Sequence, residues 1–251
     1  IRNHCQALER ILEEIKNVDA IGHRVVHGGE QFQEPVVINS RVIRKIKTCC
    51  NLAPLHNPAN LDGIRACGDI LKNIKQAAVF DTVFYQSLPE KAFVYGLPYK
   101  FYQNYKIRKY GFHGTSHEYV SGEAAKKLKK NLARVNLITC HLGNGCSITA
   151  IKNGKSIDTS MGFTPLEGVM MGTRSGDIDP AVITYLIEKK RILPPDVDRL
   201  LNRESGLKGI SGISNDMRKI LQSADKGNQR CKLAIEMFVY RIRKYISAYL
   251  G

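Results

Sequence analysis

Three short polar segments between residues 110 and 180 each set glycines beside a cationic or ring-nitrogen side chain. They are Gly111-Phe112-His113-Gly114-Thr115-Ser116-His117, His141-Leu142-Gly143-Asn144-Gly145 and Met171-Gly172-Thr173-Arg174-Ser175-Gly176-Asp177. Glycine weakens strands and helices, so each interruption needs a tight turn or a close approach of backbone to a ligand. Backbone amides joined to cations are what a site that handles phosphate requires.

Other residues extend that kit. Arg24 lies in the apolar run Ile21-Gly22-His23-Arg24-Val25-Val26, so it either meets an internal carboxylate or faces a ligand. Arg174, in a loop too small to bury it, suits a carboxylate or phosphoryl oxygen, or is a lone surface arginine. His113 precedes a helix start, where amides favour an anion; a core histidine is the plainer reading. His113 and His117 have H-x-x-x-H spacing, but with no third ligand apparent no metal site is assigned. Asp81 ends an apolar strand, either as a positioning carboxylate or as a cap. The 141–145 turn is equally well a plain β-turn. Together these residues form a set able to neutralise charge during phosphoryl transfer. Walker A spacing, a Rossmann fingerprint and a nucleophile elbow are all absent from the sequence.

The elements that position these groups read as α/β layers. Helical spacing predicts a helix over 3–17, then a buried strand over 20–27 and a short strand over 36–38. Ser40 is a candidate cap for a helix through residue 50, and Pro58 opens the next helix. A strand over 77–82 ends at Asp81. Residues 85–109 have no clean period and are expected to connect two units. Thr115 and Glu118 have capping-box spacing, so a helix should run to about residue 130. Strands over 135–140, 146–151 and 155–159 follow, the last two joined by Asn153-Gly154, a strong hairpin signal. Helices are expected near 180–190, 196–203, 215–224 and 229–250.

Composition narrows the class. The net charge of +15 comes from scattered basic residues, with clusters at Lys126-Lys127, Lys129-Lys130 and 241–244 that suit solvated helix faces better than a nucleic-acid surface. No apolar run approaches the roughly 20 residues of a membrane span. The seven cysteines form no Cys-x-x-Cys, which suits reduced thiols in a cytoplasmic protein.

Longer stretches resemble the acetokinase family closely. The matching segments are Gly22-His23-Arg24-Val25-Val26-His27-Gly28-Gly29, Ala53-Pro54-Leu55-His56-Asn57-Pro58, Phe80-Asp81-Thr82, 110–117, 138–147, 158–180 and Ser214-Asn215-Asp216-Met217-Arg218. The resemblance implies the acetate and sugar kinase/Hsp70/actin superfamily, with two ribonuclease-H-like domains around a cleft, both incomplete here. Residues 1–84 would be the remainder of the first domain and 85–251 most of the second, nucleotide-binding one. The implied reaction is ATP plus acetate giving ADP and acetyl phosphate, with Mg2+ and direct in-line transfer, in a homodimer that engages neither nucleic acid nor membrane. Arg24 and Arg174 would hold the carboxylate and the transferring group, with His113 stabilising the transition state and Asp81 the essential acid. Val26, Leu55, His56, Phe112 and Pro165 would form the substrate pocket. His141, Leu142, Gly143, Asn144 and Gly145 would contact nucleotide phosphates, with Asp216, Met217 and Arg218 on the adenosine side.

Departures from the family pattern also carry expectations. Tyr85 stands where the family commonly has His, and only a local effect is expected. The family's Asn-Ala-Gly-Ser-Ser and Gly-Ile-Gly-Glu-Asn loops, and a glutamate for magnesium, have no counterpart in this sequence. The expectation is therefore that this chain alone does not turn over and that its metal ligands lie outside it. A non-catalytic chain that binds carboxylate or phosphate, and a propionate kinase of the same family, are the alternatives.

Overall fold

A computed structural model describes residues 4–12, 15, 18–54 and 56–251. It divides the chain into two units, Ile1–Gln86 with Phe112–Glu118, and Ser87–Gly111 with Tyr119–Gly251. Each has its own sheet, and the mixture is α/β.

The first unit begins with helix α1 (His4–Leu12); other parts of the predicted 3–17 helix lie outside the described residues. Strand β1 (Ala20–Val25) pairs in parallel with β3 (Lys75–Phe80), Arg24 opposite Val79. The short β2 (Val36–Val37) lies antiparallel on the other side of β3. The predicted buried strand over 20–27 is corrected here. Among the described residues β1 is an edge strand, so only Val25 is buried and Arg24 is exposed.

A parallel neighbour needs a crossover, which α2 (Ser40–Thr48) and α3 (Asn57–Ile70) supply. The cap of α2 is Asn39 rather than Ser40, its side chain accepting from the Val42 amide. Pro58 sits in the first turn of α3, where its missing N–H costs nothing. Val25, Val42, Ile46, Leu61, Ile64 and Phe80 form the core, with Phe32 stacked on Phe80 at 4.1 Å between centroids.

The second unit opens with short helices α4 (Glu90–Phe93) and α5 (Lys100–Tyr105), within the stretch expected to be a connection. Helix α6 (Gly114–Lys127) starts in the first unit and continues into the second. Its Thr115 does not act as the cap, because the helix already begins at Gly114 and Thr115 lies within its first turn. An antiparallel meander follows: β4 (Leu137–Leu142), β5 (Cys146–Lys152) and β6 (Lys155–Thr159). Central β5 is buried from Cys146 to Ile151. Asn153 and Gly154 both have positive φ, 52° and 75°, as the type I′ hairpin predicted from Asn-Gly demands.

Helices α7 (Ala181–Glu188), α8 (Pro194–Arg199), α9 (Gly206–Ser211), α10 (Met217–Asp225) and α11 (Gln229–Leu250) complete the unit. The sequence reading missed α9, a short helix begun by a positive-φ glycine. Ile220, Ala224, Cys231 and Ala234 pack α10 and α11 against Met170 and Leu207. Among the described residues no helix is long and apolar enough to cross a membrane.

Candidate functional site

In the first unit, Arg24 at the end of β1 and Asp81 just past β3 meet through a fork. Arg24 Nε donates to Asp81 Oδ1 at 2.9 Å, and NH2 donates to Oδ2 at 2.7 Å. Parallel pairing of the two strands puts both side chains at the same sheet end. The carboxylate is buried while Arg24 is 57% exposed, so the guanidinium lies between a buried anion and solvent. The hydrogen bond to Asp81 raises the Arg24 pKa, against burial. Thr115 Oγ1 donates to the same Asp81 Oδ1 at 3.2 Å.

The start of α6 is fitted onto the backbone of Asp81. The Gly114 amide donates to the Asp81 carbonyl at 3.0 Å, and a Cβ on Gly114 would overlap that oxygen. His113 holds a left-handed conformation (φ 59°), uncommon for a residue with a side chain. Its carbonyl accepts from the Ser116 and His117 amides, so the strained residue is the entry to the helix. His117, the other half of the H-x-x-x-H spacing, is buried beside the Tyr85 ring.

The Tyr85 hydroxyl donates to the Phe112 carbonyl at 2.7 Å. Phe112 is buried edge-on to His27, at 5.6 Å between centroids. Val26, half-buried, donates its amide to Asn60 Oδ1. His56 precedes α3 and is half-buried. Leu55 lies outside the described residues. Asn57 both accepts from the His27 amide and donates to its carbonyl.

The second unit carries the remaining candidates. The turn between β4 and β5 closes through the Gly143 amide on the Gly145 carbonyl, with Leu142, Gly143 and Asn144 exposed. Asn144 is its hub, its carbonyl accepting from the Gly172 amide and its Oδ1 from Asn215 Nδ2 at 2.8 Å. The turn, the Arg174 loop and the 214–218 segment are thereby tied together. Beyond them, Asp216 caps α10 and pairs with exposed Arg218, which holds its carboxyl below the usual range. Met217 packs against the α10–α11 core.

Arg174 is not the bare surface group the loop length suggested. Its side chain is half-buried because the loop folds back: NH1 donates to the Pro165 carbonyl at 3.2 Å and approaches Met171 Sδ. Burial pushes its pKa down. Among the described residues no carboxylate pairs with it. It remains a partly desolvated cation.

The structure thus brings Arg24 and Asp81 together in one unit, and Arg174, Pro165 and the 141–145 turn in the other. Thr115 and Asn215 were missed by sequence reasoning. Thr115 was taken for a cap, and an exposed asparagine carries no periodic signal.

The sequence model of the acetokinase family matches residues 1–251. The acetate kinase of Dictyoglomus turgidum is 54% identical over 239 residues, covering 95% of this chain and 59% of that protein. That of Acetivibrio thermocellus is 53% identical over 241 residues, covering 96% and 60%. Among solved structures, Porphyromonas gingivalis acetate kinase superposes with a TM-score of 0.93 at 47% identity, covering 99% of this chain and 65% of its own. A propionate kinase from Francisella tularensis gives 0.93 at 50% identity, covering 98% and 64%. The chain spans about three fifths of the length of these curated relatives.

Proposed function

The chain belongs to the acetokinase family, and on that premise we propose that it serves reversible transfer of a phosphoryl group from ATP to acetate. The products are acetyl phosphate and ADP, formed by direct in-line transfer. The observation that carries this reading is Arg174, a partly desolvated guanidinium held by a backbone carbonyl in a glycine-rich loop. A phosphoryl group in flight spreads charge over its equatorial oxygens, and a fixed cation with no competing carboxylate lowers that barrier.

Arg24 commits Nε and NH2 to Asp81, which leaves NH1 to meet an oxygen of the acetate carboxylate. Asp81 is the essential acid through this fork, holding the guanidinium in one orientation. His113 supplies a further donor to the transition state. Family resemblance assigns Val26, Leu55, His56, Phe112 and Pro165 to the substrate, whose methyl contact is worth only about 1 kcal/mol. The exposed 141–145 turn meets nucleotide phosphates, and Asp216, Met217 and Arg218 lie on the adenosine side.

Mg2+ accompanies ATP in this reading, and no ligand for it is assigned within this chain. Among the described residues no three His, Cys, Asp or Glu side chains group to hold a metal, and both Asp81 oxygens already accept from Arg24. No step is assigned to the metal. A homodimer in the cytoplasm, acting on small molecules rather than nucleic acid or membrane, completes the proposal.

The test is hydroxamate-coupled detection of acetyl phosphate with the polypeptide translated from the complete reading frame. Turnover dependent on both ATP and acetate is expected. Folded protein without it overturns the reading. The propionate kinase relative favours one second reading, so propionate is assayed beside acetate. A higher kcat/KM for propionate would decide for that reading.

A further inference from the structure

The loop that carries Arg174 is closed at its neck by a side chain the catalytic reading does not use. Asp177 donates its amide to the Gly168 carbonyl at 2.8 Å, and its Oδ1 accepts from the Gly168 amide at 2.7 Å. Residues 168–177 therefore form a ring. Two glycines make that ring possible. Gly168 and Gly176 have φ of 111° and 66°, and a Cβ on Gly176 would overlap the Gly168 carbonyl oxygen. Inside it, the Met171 amide donates to the Arg174 carbonyl at 3.1 Å, which fixes the backbone from which the guanidinium projects.

The other carboxylate oxygen of Asp177 leaves the ring. Oδ2 accepts from the Tyr245 hydroxyl at 2.6 Å, on the long helix α11. Burial and then the bond to Asp177 push the Tyr245 pKa upward, so the phenol stays a donor at working pH. Helix α11 has further anchors besides this bond: its core contacts run from Cys231 to Phe238, ending about two turns before Tyr245.

We infer that Asp177 and Tyr245 are positioning residues for Arg174, anchoring the neck of its loop to α11 so that the guanidinium is held where transfer occurs. The inference rests on the assignment of Arg174 to the transferring group. Held geometry matters here because a displacement of about 1 Å at a reacting centre costs orders of magnitude in rate.

Steady-state kinetics on the polypeptide from the complete reading frame, with Tyr245→Phe, Arg174→Lys and the double variant, test it. Tyr245→Phe removes one oxygen, and thermal unfolding checks that the fold is intact. It is expected to lower kcat about tenfold while KM for ATP stays within about twofold, because the interaction weakened acts in the transition state. On the Arg174→Lys background the same change should cost nothing further, since it acts through Arg174. A purely structural hydroxyl would lower the rate by the same factor in both backgrounds, and that result overturns the inference, as does an unchanged kcat. Full activity in Arg174→Lys alone overturns the catalytic assignment itself, and the inference falls with it. If Tyr245→Phe does not fold, Asp177→Ala replaces it and is read by the same two comparisons.

Discussion

Arg24 and Asp81 face each other across two parallel strands, joined through two hydrogen bonds, with the anion buried and the cation 57% exposed. The asymmetry sets what each substitution costs. Removing Arg24 strands a carboxylate that keeps only the Thr115 hydroxyl among the partners described. Arg24→Ala should therefore destabilise the protein by about 1–2 kcal/mol, below the 3–5 kcal/mol of a wholly buried pair because water already reaches the arginine. Urea unfolding measures it. An unchanged midpoint would mean that Asp81 is hydrated despite its burial. The same variant, and Arg174→Ala, should lose most of the rate of acetyl phosphate formation.

Gly114 is the contact point between α6 and the backbone of Asp81. Gly114→Ala puts a methyl group where the Asp81 carbonyl stands, so the helix start or the carboxylate must move. Overpacking of this kind costs about 1–3 kcal/mol. The expected result is lower thermal stability and lower kcat, whereas Gly122→Ala in the same helix, where a Cβ meets nothing within 4 Å, should leave kcat unchanged and raise stability by about 0.5–1 kcal/mol. Equal behaviour of the two variants would remove the steric argument.

The difference between those glycines marks how far the sequence could be read. Asn153-Gly154 carried its own hairpin, because the required φ values select those residue types. Asp81 was visible as the charge that ends an apolar strand. Arg24 was expected to meet an internal carboxylate or face a ligand, and it meets Asp81; its strand, however, was read as buried, because a run of apolar residues cannot tell a central strand from an edge strand. That depends on which strands pair with it. Thr115 had the spacing of a cap, but the helix already begins at Gly114 and the Thr115 hydroxyl donates to Asp81. Arg174 was read as exposed because loop length says nothing of a loop folding back on the Pro165 carbonyl. The Asp177–Tyr245 bond joins residues 68 apart and has no local signature at all.

Asp158 gives a pH prediction. Burial raises its pKa above the ordinary 3.8, with nearby Lys109 partly opposing it. Between 3.8 and the raised native value the folded chain holds a proton that the unfolded chain has released. Stability therefore falls as pH rises through that window, and the full penalty is present above it. Asp158→Asn cannot ionise and keeps Oδ1 to accept from the Thr159 amide. Its stability relative to the parent should be greater at pH 7 than at pH 3. Urea midpoints at the two pH values measure this, and a difference that is constant with pH would show that Asp158 is not the group responsible.

Asn215 offers a test of the nucleotide side. Its amide donates to Asn144 Oδ1 at 2.8 Å and holds the 141–145 turn that would meet the phosphates. An exposed hydrogen bond of this kind is worth about 0.5–1.5 kcal/mol, so Asn215→Ala should raise KM for ATP roughly two- to tenfold. Gly172→Ala reaches the same hub from the other side, because its Cβ would overlap Asn144 Oδ1 and push that side chain away. Both variants should weaken ATP binding while KM for acetate stays within about twofold, since uniform binding energy lost at one substrate leaves the other unaffected. Steady-state kinetics with each substrate varied in turn decide it. If KM for acetate rises and that for ATP does not, the turn belongs to the carboxylate side of the reaction.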